Sequence, residues 1–209
     1  MASPVLAPFI LARTGNNSAT FGAVESALAV GAVLGGLIVS LWGGFKRQMK
    51  NIFLGEFLTG LVLMSLFGLG RSLPVWAVAA LIGCIFPVFT NGASQAIWQA
   101  KVAPDVQGRV FSARRMIAWI TGPITPIIAG ALADYVTEPG MQAGGWLAGA
   151  FSWLVGTEPG SGMGLQFFLA GIVYMLVVLL VYFFFPVVRN LEDNLPDHDH
   201  MQKAGGKVN

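Results

Sequence analysis

The sequence predicts an all-α membrane protein, and three observations carry that prediction. Of 209 residues, 55% are hydrophobic and only 11% charged, with a mean hydropathy of +0.70, which leaves too little polar surface to cover a water-soluble globule. Five stretches are apolar for the about 20 residues that a helix needs to cross a hydrocarbon core of about 30 Å. The basic residues, finally, are distributed very unequally among the connections. Lipid offers no partner to backbone N–H and C=O groups, so each spanning stretch must be a helix.

The first apolar segment, Ala2–Ala12, is only about half a span, carries Pro4 and Pro8, and has no positive region before it, which makes it a poor signal peptide. Full spans follow at about Phe21–Gly43, Ile52–Gly70, Pro74–Ala100, Met116–Ala133 and Met163–Val187. Residues 1–190 thus form one transmembrane unit, and 191–209 a flexible polar tail. Placing the connections on alternate sides collects Lys46, Arg47, Lys50, Lys101, Arg109, Arg114, Arg115, Arg189, Lys203 and Lys207 on one side. Only Arg13 and Arg71 are left on the other, so the first side is predicted to be cytoplasmic, together with the carboxy terminus. The connection 134–162 has no Lys or Arg and is predicted to be external. Within it GGWLAGAFSWLVG is too short to span, and Trp146 and Trp153, seven residues apart, read as one face of a helix lying at the interface.

Several function classes drop out. A net charge of +2 without a basic run argues against nucleic acid, and the single Cys84 allows neither an intramolecular disulfide nor a CxxC site. No GxxxxGK[ST], HExxH or GxSxG pattern is present, so no enzyme activity and no cofactor are expected. Asp197, His198, Asp199 and His200 alternate in the tail, but a short flexible segment fixes no ligand geometry, and no metal site is expected.

Ionisable side chains within a bilayer are costly, which makes Glu25 and Glu56 candidates. Glu56 lies near the inner end of its span, within reach of Lys46, Arg47 or Lys50 by snorkelling, and Glu25 sits a turn from the outer end and reads as interfacial. In PVFTNGASQAIWQ, Pro87, Asn91 and Gln95 fall four apart with Trp98 three further on, which puts two amides and an indole on one helix face, either lining a cavity or bonding to a neighbouring helix. Ala23, Ala27, Gly31 and Gly35 form a small-residue ridge suited to close helix packing.

The stretch VAPDVQGRVFSARRMIAWITGPITPIIAGALADYV joins a polar turn at Pro104–Gly108 to Arg109, Arg114 and Arg115, then a helix containing Pro123, Pro126 and Gly130. This resembles the major facilitator superfamily, in particular its multidrug and macrolide efflux branch, in which a PxxxxGRVFS-like loop joins the tenth and eleventh helices. GPITPIIAGALAD is similar to that family's eleventh helix, and TFGAVESALAVGAVLGGLIVSLWG to its eighth. The loop that follows, GGFKRQMK, departs from the superfamily's GxLxDRxGRR signature by lacking the aspartate. The resemblance implies the carboxy-terminal half of a twelve-helix fold: five full helices, the eighth to the twelfth, after a truncated seventh. It further implies a fragment of a secondary active transporter in a bacterial plasma membrane, exporting an amphipathic small molecule by proton antiport with alternating access. Its substrate would lie between this half and an amino-terminal six-helix half. The alternatives are a small homo-oligomeric membrane protein and an inactive remnant of a truncated transporter.

Overall fold

The computed structural model describes residues 5–42, 47–120 and 122–195. Among these residues every regular element is helical. A short helix α1 (Leu6–Arg13) leads into α2 (Ser18–Trp42), α3 (Gln48–Leu69), α4 (Leu73–Lys101), α5 (Gln107–Met141), the short α6 (Ala148–Val155) and α7 (Ser161–Phe184). Five of them, α2, α3, α4, α5 and α7, are long and apolar enough to cross a membrane. The predicted spans correspond to these five. The largest difference is α5, which begins and ends roughly two turns outside Met116–Ala133. At its start the Gln107 side chain donates to the carbonyls of Gln99 (3.2 Å) and Val102 (2.9 Å), fixing a helical turn in a stretch too polar for hydropathy to include. At its far end the wide turns of a π-helical stretch, Ala133–Thr137, carry the helix past Asp134.

The bundle is held by backbones that approach closely. A Cβ on Gly31 of α2 would overlap the Leu81 carbonyl of α4, and one on Gly35 would lie 3.0 Å from the Ile85 Cα. Gly68 of α3 and Gly164 of α7 face each other in the same way, each Cβ falling within 2.8 Å of the other's carbonyl oxygen. Lipid provides no hydrophobic drive between helices, so such small-residue contacts, dense in van der Waals attraction, are what hold spans together.

One end of the bundle is plugged by α1. Phe9 is 0% exposed, with ring centroids 5.4 Å from Phe167, 5.8 Å from Trp76 and 6.0 Å from Phe67. The half-span of the sequence is therefore a buried element. Beyond it, Arg13 donates to the Val155 carbonyl at 2.7 Å and Arg71 to the Leu154 carbonyl at 3.0 Å, so both arginines cap the carboxy end of α6, where the helix dipole is negative. Burial, and then the neighbouring Arg71, pull the Arg13 pKa below its ordinary value, while Glu158 and Glu138 oppose the shift. Glu138 caps the opposite kind of terminus, accepting from the Gly160 and Met163 amides of α7 at 3.2 and 2.9 Å. Trp153 rides on α6, exposed, but Trp146 precedes the helix, so the two do not share a helix face as the seven-residue spacing suggested.

At the other end the residues after α7 fold back in two short turns, Pro186–Arg189 and Leu191–Asn194. Glu192 accepts from the Gln48 and Met49 amides at 2.9 and 3.2 Å, capping α3, and Arg47 pairs with Asp193 at 3.3 Å. Lys101 donates to the Glu192 carbonyl at 3.2 Å and to that of Leu195. Residues 191–195 are thus docked rather than part of a free tail. The alternating Asp197–His200 stretch, Lys46, Lys203 and Lys207 lie outside the described residues.

Candidate functional site

A cavity of about 680 Å³ lies among α2, α3 and α4, beneath the amino end of α1. Its size is that of a site for a drug-sized ligand. Leu28, Leu63, Met64, Phe67, Val88 and Phe167 make most of the wall apolar, and four polar side chains interrupt it: Glu25, Thr59, Cys84 and Asn91.

Each polar group is placed by a local feature of its helix. Glu25 follows the fully buried Val24 on α2, and its Oε1 is shielded and without a hydrogen-bond partner among the described residues. Glu25, read as interfacial from its depth along α2, lines the cavity, to which α1 contributes Leu6. Thr59 begins the π-helical stretch Thr59–Leu66, which also supplies Leu63 and Met64, and its hydroxyl donates to the Gly55 carbonyl at 2.7 Å. Wide turns of this kind occur frequently at functional sites. Across the cavity α4 is interrupted at Cys84, where Pro87 removes the amide that would have bonded to the Gly83 carbonyl. One turn on, Asn91 donates through Nδ2 to the Pro87 carbonyl at 2.7 Å, and its Oδ1 has no partner among the described residues. The cavity therefore presents acceptors, a carboxylate and an amide oxygen, and suits a ligand that brings a hydrogen-bond donor or a positive charge.

The stripe predicted on α4 is only partly at this site. Asn91 lines the cavity, whereas Gln95, exposed, lies outside the lining. Trp98 lies under Arg114 of α5, whose guanidinium carbon is 5.4 Å from the indole centroid and whose Nη2 donates to Ser94 at 2.7 Å. Two predicted sets, the stripe and the basic loop motif, thus meet near the carboxy end of α4. Glu56 forms no ion pair with Arg47 or Lys50 and instead accepts from the Tyr174 hydroxyl of α7; Lys46 lies outside the described residues. Pro104 lies in the turn before α5 and Gly108 in its first helical turn, with Arg109 and Arg115 exposed. Pro123 precedes the arm Ile124–Leu132 that contains Pro126, and a Cβ on Gly130 would meet nothing within 4 Å. Thr59 and Cys84 escaped the sequence reading because neither is charged at neutral pH nor part of a periodic polar pattern; the Cys84–Pro87 interruption was the one available signal.

Relatives extend this picture over part of the chain. Over 114 residues the chain is 30% identical to macrolide efflux protein A of Streptococcus pyogenes, a match covering 54% of this chain and 28% of that protein. Macrolide efflux protein A of Enterococcus faecalis is 30% identical over 102 residues, 48% of this chain and 31% of that protein. The matched part of the chain thus spans under a third of the length of either relative. No protein-family profile matches the chain, and no solved structure does. The chain is an integral membrane protein similar in part to efflux transporters.

Proposed function

We propose that the chain is part of a major facilitator-type efflux transporter, corresponding to its carboxy-terminal half, and that it exports an amphipathic compound carrying a hydrogen-bond donor or a positive charge. The cavity carries this reading: an apolar chamber of about 680 Å³ in the membrane, in which, among the described residues, Glu25 Oε1 and Asn91 Oδ1 have no hydrogen-bond partner. Partial identity to two macrolide efflux proteins supports the same class of activity. A carboxylate with one oxygen shielded from water is also a group at which a cation and a proton can exchange, and proton antiport through Glu25 is part of the proposal.

Helix α5 supports a partner. None of the described residues between Gln107 and Leu132 is buried, and Met116, Ile117, Trp119, Ile120, Ile124, Ile127 and Ile128 stand exposed. We assign this face to a second six-helix half, against which the present one rocks. Efflux of a fluorescent amphipathic cation tests the assignment, in cells expressing the 209-residue chain with and without an amino-terminal half from the same locus. Transport is expected only with the half co-expressed. Efflux by the chain alone would replace this reading with an assembly of identical copies.

The end that gathers Arg47, Lys101 and Arg189 is proposed to face the cytoplasm, by the excess of basic residues there. Cysteines introduced one at a time at Asp105 and Ala143, in a Cys84→Ser background, report the sidedness. An impermeant thiol reagent applied to intact cells should label position 143 and spare 105. The reverse pattern inverts the topology.

A further inference from the structure

We propose that the basic end of the α3–α7 pair is a binding site for an anionic glycerophospholipid, with the phosphate between Lys50 and Arg189 and an acyl chain along the groove beside them. Two adjoining hollows form it. A polar one of about 250 Å³ lies at the mouth, lined by Arg47, Lys50, Tyr182, Arg189, Glu192 and Asp193. An apolar one of about 450 Å³ shares Lys50, Phe53 and Tyr182 with it and continues between the helices past Leu54, Phe57, Val178 and Leu179.

Charge accounting leaves the mouth positive. Both oxygens of Glu192 accept from the amides of Gln48 and Met49, and Asp193 is paired with Arg47. Among the described residues Lys50 and Arg189 have no carboxylate partner, and Arg189 is held over the Tyr182 ring at 5.4 Å. The groove has a physical origin. Farther along, α3 and α7 approach through Gly60, whose Cβ would lie 3.2 Å from the Gly171 carbonyl. At this end they meet through the rings of Phe53 and Tyr182, with centroids 5.2 Å apart, and the larger side chains hold the backbones open. Lys50 lies near the start of α3 and Tyr182 near the end of α7, so the mouth is level with the ends of the two spans, where phosphates and interfacial tyrosines reside. Basic pockets between transmembrane helices at that depth suit anionic headgroups. A cationic mouth continuous with an apolar groove matches a lipid, whereas a soluble phosphate would use only the mouth. The inference stands apart from the efflux reading, since it needs only that the chain be embedded in a bilayer.

The test uses the full chain in nanodiscs of equal parts phosphatidylglycerol and phosphatidylethanolamine. Lipids retained on release are counted by native mass spectrometry, and a photoactivatable phosphatidylglycerol is mapped on the wild-type chain. Preferential retention of phosphatidylglycerol is expected, falling about fivefold for Lys50→Gln or Arg189→Gln alone and over tenfold for the pair. Leu54→Trp, which fills the groove and keeps both cations, should also lower retention. Arg109→Gln with Arg115→Gln, a loss of equal charge at the same end, should leave it unchanged. Photolabel should fall within 50–57 or 178–189, and this result decides the matter if a variant does not insert. Equal retention of the two lipids, equal loss in the control pair, label elsewhere, or displacement of the lipid by millimolar inorganic phosphate overturns the proposal.

Discussion

Replacing Glu25 by glutamine is expected to lower the affinity of the cavity for an amphipathic cation tenfold or more, and to change binding of a neutral compound of the same shape by less than twofold. Glu25 Oε1 is shielded and has no hydrogen-bond partner among the described residues, so a cationic ligand would supply the missing one. A charge-assisted hydrogen bond contributes about 1.5–3 kcal/mol, which corresponds to roughly 10- to 100-fold in affinity. Glutamine keeps the size and a carbonyl acceptor but removes the charge, so the neutral ligand loses little. Titration of a fluorescent lipophilic cation and of its neutral isostere, against the chain in lipid nanodiscs, separates the two. Gln95→Leu serves as the internal contrast: Gln95 lies on the same helix face as Asn91 but outside the cavity, and its removal should leave both affinities unchanged. Parallel losses for the two ligands in Glu25→Gln would reduce the carboxylate to a packing group.

That expectation could not have been formed from the sequence alone, and the reason is physical. Hydropathy reports how much apolar surface a stretch carries, so the five spans were legible wherever composition and burial agree. It is silent where a helix is held by hydrogen bonds in a polar segment, as at Gln107, where the side chain ties down two carbonyls. Periodicity put Asn91, Gln95 and Trp98 on one face, but a face is not a cavity. Which part of the stripe lines the chamber depends on where α2 and α3 lie, and that is set by contacts such as Gly31 against Leu81. Glu25 looked interfacial because its depth was counted along α2 alone, whereas the cavity it lines is built with residues of α1, α3, α4 and α7. Arg13 and Arg71 were placed on the same side by charge counting. Their convergence on the carbonyls of Leu154 and Val155 adds what a count lacks, a common partner.

A leucine at Gly31 is expected to be strongly damaging, and the same change at Gly36 nearly neutral. The two positions lie on one helix and gain the same side chain, and leucine is intrinsically better than glycine in a helix interior by about 0.8 kcal/mol. Propensity therefore predicts a small gain at both. Packing separates them: a Cβ on Gly36 meets nothing within 4 Å, whereas one on Gly31 would overlap the Leu81 carbonyl and lie 2.9 Å from its Cα. Those atoms are backbone in the middle of a span and cannot rotate away as a side chain would, so α2 and α4 must move apart. Overpacking of this kind costs about 1–3 kcal/mol and more where backbone is involved. Separation would also loosen Gly35 from Ile85 and Val88 along the same ridge. Since α2 carries Glu25 and α4 carries Asn91, the same movement would pull the two acceptors of the cavity apart. The measurement is the fraction of chain recovered as a monodisperse species in mild detergent, with the thermal midpoint of its aggregation. Gly31→Leu should lower recovery severalfold and the midpoint by several degrees, with Gly36→Leu indistinguishable from the parent chain. Equal recovery of the two variants would show that α2 does not meet α4 at Leu81, and the placement of the cavity would fall with that contact.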